Sequence, residues 1–260
     1  MRDHVIRIAE DFWNIRGSFQ IARVLDIGTQ ASLVRRPSGG FLLLDSYTFT
    51  GSLAEEVDEI TGGPENVEAV LNLHPFHTIH VRAIHERYPR AKHYGTARHH
   101  ARAPDLAWQT EKTEDAALHD LFAEDFEFSV PRGVVFVAAN ELLHFSSVLA
   151  LHRASKTIHV DDTLMYVRFP GLLRILGLSD TMSFHPTLGK VLEPRAGAAR
   201  DFREWAEELI ESWGMAENLC AAHTAALRTG QDSGPSLRDR LKKALAKVES
   251  TLGAHQQKFG

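Results

Sequence analysis

The sequence is poor in cysteine, in long apolar runs and in excess basic charge, and each shortage excludes a class of protein. Its single cysteine, Cys220, excludes an intramolecular disulfide and a zinc site built mainly from thiolates. No apolar run approaches the roughly 20 residues that span a bilayer, and the N-terminus lacks the apolar core of a signal peptide. With 29 basic and 34 acidic side chains, the chain also lacks the positive excess of a general nucleic-acid-binding surface. We therefore expect a cytoplasmic protein that binds neither membranes nor nucleic acid.

A phosphate-binding loop is missing as well, because "GTARHH" lacks the necessary glycines and no P-loop lysine pattern occurs. Short apolar or alternating runs predict strands through the first fifty residues. A capping-box pattern at Ser52 and Glu55 predicts a helix that ends at Gly62 and Gly63. Strands and helices then alternate until Asp201, where the periodicity becomes helical. This order predicts an α+β fold of two sheets covered on both faces by helices.

The stretch "LNLHPFHTIHVRAIHERYP" carries an unusual histidine pattern. His74 closes a short apolar run that predicts a buried strand, and His77 and His80 follow at three-residue steps. Residues three apart share one face of a helix, so His77 and His80 could point together, with His74 approaching from the strand end. Neutral imidazoles are ligands for zinc and iron. The alternative interpretation is a solvated histidine cluster near the start of a helix.

Other histidine and aspartate residues stand at further strand ends. His144 precedes one predicted strand, and the next predicted strand runs into Asp161 and Asp162. Antiparallel strands joined by a short turn bring their outer ends together, so His144 and Asp162 should be neighbours. An acidic pair that closes an apolar strand needs a strong partner. His223 follows another apolar run, and this recurrence favours a metal site held by histidine and carboxylate.

These blocks resemble the metallo-β-lactamase superfamily. The likeness rests on "HFSSVLALHRASKTIHVDDTLMYV", on "ENLCAAHTAAL" and on the opening strands with "GGFLLLDSY". It implies a four-layer αββα sandwich, with residues 1–260 as a single domain. The sequence of the tail, "GAHQQKFG", predicts fraying from about residue 253. The resemblance also implies that His144, Asp162 and His223 bind metal, and that Asp45 stands where the superfamily has an aspartate supporting the ligands.

The first histidine motif departs from the superfamily pattern H-x-H-x-D-H. His74 matches its first histidine, and a one-residue shift recovers His77 and His80, but the aspartate position falls near Thr78. In the superfamily that aspartate holds a second metal ion and orients the attacking water, so the two-metal mechanism does not transfer whole. The predicted metal ligands are His74, His77, His80, His144, Asp162 and His223.

The resemblance implies a metal-dependent hydrolase that uses a metal-activated water on an ester, thioester, lactone or phosphoester small molecule. Asp162 is the predicted catalytic residue, helping to hold the metal and accepting the proton of the water. The predicted cofactor is zinc, as one or two ions, with iron or manganese as alternatives. A second hypothesis is a catalytically degenerate relative that binds a ligand or a partner, and an iron-dependent redox enzyme is a third.

Two residues are candidates for contacting the substrate. Arg98 could hold a carboxylate or a phosphate, and His185 could close the pocket or donate to the substrate. The alternatives are a solvated arginine and a loop histidine without a role. The run "FPGLLRILGL" is too apolar for an ordinary exposed loop, and it predicts a roof over the site, a homodimer contact or a core helix.

Overall fold

The structure, a computed structural model, describes residues 3–18, 20–21, 25–26, 28–169, 179–222, 225–232 and 234–260. Its strands are β1 (His4–Ala9), β2 (Phe12–Gly17), β3 (Gln20–Ile21), β4 (Leu25–Asp26), β5 (Thr29–Arg35), β6 (Phe41–Leu44), β7 (Val67–Leu71), β8 (Lys92–Tyr94), β9 (Phe126–Ser129), β10 (Leu149–His152), β11 (Thr157–Val160), β12 (Leu164–Val167), β13 (Thr181–Phe184), β14 (Asn218–Ala221) and β15 (Ala226–Arg228). Its α-helices are α1 (Ser52–Thr61), α2 (Val81–Arg87), α3 (Ala97–Arg102), α4 (Ala116–Leu121), α5 (Leu188–Val191), α6 (Ala198–Trp213) and α7 (Leu237–Phe259). Within these described residues, no helix combines the length and the apolar character that crossing a membrane requires.

Two sheets carry most of the strands. The first has the order β1-β2-β5-β6-β7-β8, and the second has the order β15-β14-β11-β10-β9. Strands β6, β7 and β8 run parallel in the first sheet, as do β11 and β14 in the second. The four residues of β6, "FLLL", are all buried, which suits a strand covered on both faces. Strands β12 and β13 form a separate hairpin.

The apolar core has three parts, which define four layers. One part lies between the sheets and joins Phe12, Leu42 and Leu71 of the first to Ala150 and Cys220 of the second. Another packs α1 and α2 against the outer face of the first sheet. The third packs α6 and α7 against the outer face of the second sheet. The predicted αββα sandwich is therefore confirmed.

Helix α6 shows why the outer helices dock. Its apolar side chains recur at three- and four-residue steps and are all buried: Phe202, Trp205, Leu209, Ile210 and Trp213. Burying a side chain such as leucine or phenylalanine contributes roughly 1.5–3 kcal/mol. The helical stripe predicted from residue 201 onward is therefore confirmed.

Several local predictions differ from the structure. The run 157–167 is not one strand, because a turn at 161–163 sends β11 and β12 into different sheets. The segment "GVVFVAA" forms only an isolated bridge at Val134. Helix α1 does begin at Ser52, but its N-cap is Gly51, and no side chain caps the helix. Gly62 ends it in the left-handed conformation, as predicted.

The C-terminal tail is helical and not frayed. Helix α7 continues to Phe259, beyond the predicted end near residue 253. The reason is packing, since Leu252 is fully buried and His255 is nearly so. The ring nitrogen Nε2 of His255 is hydrogen-bonded to the carbonyl oxygen of Glu193 at 3.0 Å. The sequence pattern weakened after Leu252, but these contacts fix the last two turns.

Candidate metal centre

The ends of β7 and β11 meet at one edge of the sandwich. His74 lies three residues after β7 in the first sheet, and Asp162 lies two residues after β11 in the second. The two sheets are joined at this edge, because the backbone N–H of Val148 donates to the carbonyl oxygen of Leu73 at 3.0 Å. Side chains that follow strands of different sheets are thereby brought together.

Three imidazoles converge on one carboxylate oxygen. Oδ2 of Asp162 lies 3.2 Å from Nε2 of His74, 4.0 Å from Nε2 of His77 and 3.9 Å from Nδ1 of His144. The ring centroids of His74 and His77 are 4.0 Å apart. His74 and Asp162 are buried, whereas the side chain of His144 is 42% exposed. The cluster therefore opens to solvent on the side of His144.

A second carboxylate, Asp161, faces the other nitrogen of His77. Its Oδ2 lies 3.1 Å from Nδ1 of His77, and its Oδ1 accepts a hydrogen bond from Nε2 of Gln30 at 3.0 Å. Burial would lower the pKa of His77, but the carboxylates of Asp161 and Asp162 outweigh it and raise that pKa to about 9. Burial opposes ionisation of Asp161, yet His77 and His159 hold its pKa well below the usual range. The pair is thus a buried carboxylate facing an imidazolium.

Asp45 supports the backbone of the histidine segment. It follows β6 with φ of 58°, the left-handed region that non-glycine residues seldom occupy. Its Oδ1 accepts hydrogen bonds from the N–H groups of Leu73 and His74, at 2.8 and 3.3 Å. Its Oδ2 is bonded to Nε2 of His159 at 2.9 Å, and Nδ1 of that ring is bonded to the hydroxyl of Ser32. Burial and the nearby Asp161 raise the pKa of Asp45.

The donor set fits a divalent cation. His74, His77 and Asp162 each offer an atom within 4.8 Å of the others, and imidazole with carboxylate suits zinc, iron or manganese. Nε2 of His74 is fully buried and has no hydrogen-bond partner among the residues that the structure describes, although it faces Asp162. Ligation of a cation by Nε2 of His74 places the ring proton on Nδ1. Nδ1 then cannot accept the hydrogen bond that the N–H of Phe76 now donates to it at 3.2 Å, so cation binding has to break this bond.

A second group of side chains has metal-ligand spacing but is already satisfied internally. Asp45, His159 and Asp161 also lie within 4.8 Å of one another. Asp45 and His159 are hydrogen-bonded to each other, and all three side chains are buried. Binding a cation there would break that bond. The His74, His77 and Asp162 group is therefore the better cation site.

The structure does not bring His80 into the cluster. Its Nδ1 is hydrogen-bonded to the hydroxyl of Thr48 at 2.8 Å, and its ring packs edge-on against Tyr47. Helix α2 begins only at Val81, so His77 and His80 lie in the turn before it. The argument that these two residues share a helical face is therefore wrong.

Arg98 lies at the rim of the cluster beside His144. The ring of His144 stacks on Phe76 with centroids 4.7 Å apart, and the guanidinium of Arg98 lies 4.4 Å from the centroid of Phe76. Nη2 of Arg98 is also paired with Glu141 at 3.0 Å. Arg98 is therefore near the opening, as a substrate contact must be, but a carboxylate already engages it.

The remaining predicted residues have different outcomes. His185 is bonded through Nδ1 to the hydroxyl of Thr187 at 2.7 Å, and that hydroxyl also contacts the carbonyl oxygen of His144 at 3.4 Å. His185 is thus linked through Thr187 to the backbone of the rim. His223 lies outside the described residues, and so do residues 170–178 of the apolar run. Their predicted roles stay predictions.

Sequence reasoning missed the residues that surround the cluster. The acidic pair was recognised, but only Asp162 was given a role, and Asp161 proves to face His77. The pair itself was the signal, because two carboxylates at one strand end need two partners. Gln30, Ser32 and His159 gave no such signal. They are isolated polar residues within apolar strands, and only the docking of the two sheets shows what they contact.

The fold and the cluster define a class of protein: an α+β sandwich with a candidate metal centre at the edge where its two sheets meet. No protein-family model matches the chain, and no curated protein matches it in sequence. Solved structures identify the fold more narrowly. The chain is similar to a metallo-β-lactamase from Erythrobacter litoralis, with 11% identity, a TM-score of 0.59 and coverage of 94% of this chain and 96% of that chain.

Two other solved structures show the same likeness. One is the metallo-β-lactamase FIM-1 from Pseudomonas aeruginosa in its mono-zinc form, with 10% identity, a TM-score of 0.58 and coverage of 95% of this chain and 96% of that chain. The other is a metallo-β-lactamase from Pontibacter korlensis, with 9% identity, a TM-score of 0.57 and coverage of 97% and 99%. The chain therefore has the metallo-β-lactamase fold, as the sequence resemblance implied.

Proposed function

We propose that this protein is a metal-dependent hydrolase acting on a small molecule with an ester, thioester, lactone or phosphoester bond. The observation that carries the proposal is the convergence of His74, His77 and Asp162 at an edge of the sandwich that opens to solvent beside His144. We propose zinc as the cofactor, in one or two ions, with iron or manganese as alternatives that accept the same donors. The fold, shared with metal-dependent enzymes, supports this choice.

A divalent metal bound by these side chains would lower the pKa of a water to about 7 and polarise a carbonyl or phosphoryl oxygen. The residues of the chain supply the rest. Asp162 is held among three imidazoles, so its Oδ2 is placed to ligate the cation. We propose that Asp162 also receives the proton released when water attacks. The buried sides of His74 and Asp162 exclude bulk water from the inner half of the cluster.

The rim suggests how a substrate would be held. Phe76 offers an aromatic face between the cluster and Arg98. The ion pair of Arg98 with Glu141 involves a glutamate that is more than half exposed, so it contributes only about 0–1 kcal/mol. An anionic group of a substrate can therefore displace Glu141 from Arg98. We propose that Arg98 contacts the anionic group of the substrate. We propose that His185 supports the backbone of the rim through Thr187.

A second candidate function is binding without turnover. Its support is the first histidine segment, where the superfamily pattern places an aspartate and a histidine near Thr78 and Ile79. Neither residue can ligate through an imidazole or a carboxylate, and Ile79 is 70% exposed. The chain would then retain a cation or a ligand for recognition alone.

Elemental analysis of the purified protein, combined with a panel of ester, thioester, lactone and phosphoester substrates, tests the proposal. We expect about one equivalent of zinc, with hydrolysis of at least one substrate class that is lost on chelation and restored by metal. Metal without turnover of any class would favour the binding function. A protein that neither contains metal nor takes it up at millimolar zinc would overturn the hydrolase and favour a protein that binds a ligand or a partner without metal.

A further inference from the structure

Within the proposed metal centre, on which this inference rests, we propose that Asp161 is the positioning residue of His77. It fixes the ring orientation and holds the proton on Nδ1, so that the lone pair of Nε2 faces the cation. Asp161 was not among the predicted ligands, whereas the next residue, Asp162, was. The inference assigns the two neighbouring aspartates different tasks.

The argument begins with the two nitrogens of His77. Nδ1 lies 3.1 Å from Oδ2 of Asp161, whereas Nε2 lies 4.0 Å from Oδ2 of Asp162. Metal binding at Nε2 would release one of the two protons of the His77 imidazolium, and the carboxylate beside Nδ1 would keep the other proton there. Nε2 is then left as the unprotonated nitrogen that a metal requires. Metal-binding histidines commonly donate their other N–H to a carboxylate, which also makes the ring a stronger ligand.

Asp161 is rigid enough to do this. Its side chain is 1% exposed, and its other oxygen accepts a hydrogen bond from Nε2 of Gln30 at 3.0 Å. Gln30 also donates to the carbonyl oxygen of Val160, and it is itself held by Nδ2 of Asn14 at 3.1 Å. A chain of polar contacts thus runs from β2 and β5 of the first sheet to the end of β11 in the second.

The backbone of His77 is held independently. Its carbonyl oxygen is bonded to Nε2 of His99 at 3.3 Å. Asp45 meanwhile holds the N–H groups of Leu73 and His74. Asp45 and His99 therefore fix the main chain of the segment. These hydrogen bonds do not involve the ring of His77, and Asp161 controls the orientation of that ring.

A direct ligand role for Asp161 is the competing explanation. Its Oδ2 accepts no aligned hydrogen bond within the described residues, so it could in principle turn to a cation. The short contact with Nδ1 of His77 argues against this, because a cation bound by Asp161 would have to separate the two groups. The two explanations predict different Nδ1–H signals from His77 in the zinc-loaded protein, which makes them separable.

The test compares Asp161→Asn with Asp125→Asn in the full-length protein. Asp125 is a buried aspartate paired with Arg36, remote in sequence and contacts from the cluster, and it controls for a general loss of stability. Zinc and cobalt affinities are measured by competition with a chromophoric chelator. We expect Asp161→Asn to weaken binding by about 10–100-fold without changing stoichiometry, and Asp125→Asn to leave the affinity within about threefold.

A spectroscopic measurement separates positioning from a structural effect. In the zinc-loaded protein labelled with 15N-histidine, we expect a slowly exchanging Nδ1–H signal from His77. Asp161→Asn should shift this signal and speed its exchange with water. If Asp161→Asn does not fold, Gln30→Met is the replacement, because it keeps the carboxylate but removes its fixed donor. Its expected loss of affinity is smaller, roughly 10-fold or less.

The outcomes are distinct. Equal metal affinity and an unchanged Nδ1–H signal in Asp161→Asn would overturn this inference and leave the proposed metal centre intact. Absence of a slowly exchanging Nδ1–H signal from His77 in the unmodified zinc-loaded protein would also overturn it, because Asp161 would then not hold that proton. Failure of the unmodified protein to bind zinc or cobalt would instead overturn the metal centre itself.

Discussion

Nδ1 of His80 is hydrogen-bonded to the hydroxyl of Thr48, 2.8 Å away, and this bond separates His80 from the imidazoles that surround Asp162. Three histidines at equal steps in the sequence thus serve two purposes. His74 and His77 face the carboxylates, whereas His80 joins the start of α2 to the segment after β6.

The first prediction is that His80→Ala retains the metal. The ring contacts Thr48 and Tyr47 and is not part of the cluster, so zinc content should match that of the unmodified protein. The free energy of unfolding should fall by about 1 kcal/mol for the lost hydrogen bond. Metal analysis and urea denaturation measure the two effects. Loss of zinc from this variant would place His80 back among the ligands.

His74→Gln should lose the metal, whereas His152→Gln should keep it. Both histidines are buried and stand near the ends of strands, but His152 is hydrogen-bonded to the hydroxyl of Ser155 at the far end of β10, away from the cluster. Removing one of three converging donors should weaken zinc binding at least about 10-fold. Equilibrium dialysis with zinc gives the comparison. A similar loss in both variants would mean that the effect comes from destabilisation and not from ligation.

Removing metal should lower the melting temperature. His74 and Asp162 are both buried, and a cation that they bind only in the folded protein stabilises that state. A ligand present at about 1,000 times its dissociation constant stabilises the folded state by about 4 kcal/mol. Differential scanning calorimetry with and without a chelator should show a shift of several degrees, reversed by zinc. An unchanged melting temperature would contradict binding at these residues.

Cys220 should be unreactive in the folded protein. Its side chain is completely buried between the sheets, and this burial raises the pKa of the thiol to about 12. The thiolate is the reactive form, so at pH 8 the native protein should react with a disulfide reagent far more slowly than the protein unfolded in guanidinium. Because the chain has one cysteine, the rate reports a single site. Rapid labelling of the native protein would show that the sheets separate readily here.

His255→Ala should destabilise the protein, and Gln257→Ala should not. His255 is buried and bonded to the carbonyl oxygen of Glu193, whereas Gln257 is an exposed neighbour on the same helix. We expect a loss of about 1–3 kcal/mol for the first variant, because it loses a hydrogen bond and the packing of a buried ring. The second should change stability by less than about 0.5 kcal/mol. Guanidinium unfolding curves that coincide for the two variants would instead support the prediction of a frayed tail.

The layers of the fold could be predicted from the sequence because their patterns are local. The buried run of β6 and the apolar stripe of α6 are each visible within a few residues. The division of residues 157–167 into two strands could not be predicted from the sequence. Both β11 and β12 carry strand-forming residues, and only the turn at 161–163, held by contacts with other segments, separates them.

The candidate site was partly predictable for the same reason. His74, His144 and Asp162 stand at the ends of apolar runs, and strand ends gather at one edge of a sheet. The role of Asp161 depends on the side-chain orientation of His77, which no sequence pattern encodes. The position of His80 depends on where α2 begins, and here the helix starts one residue later than the histidine.

The cluster draws on both halves of the chain, which has a consequence for biosynthesis. His74 and His77 belong to the first sheet, whereas His144 and Asp162 are translated later and arrive with the second. A growing polypeptide that has emerged only as far as β8 contains the imidazoles of His74 and His77 but neither of the carboxylates that face them. Capture of the proposed cation would therefore wait until both halves have docked, because an incompletely assembled molecule lacks the complete set of donors.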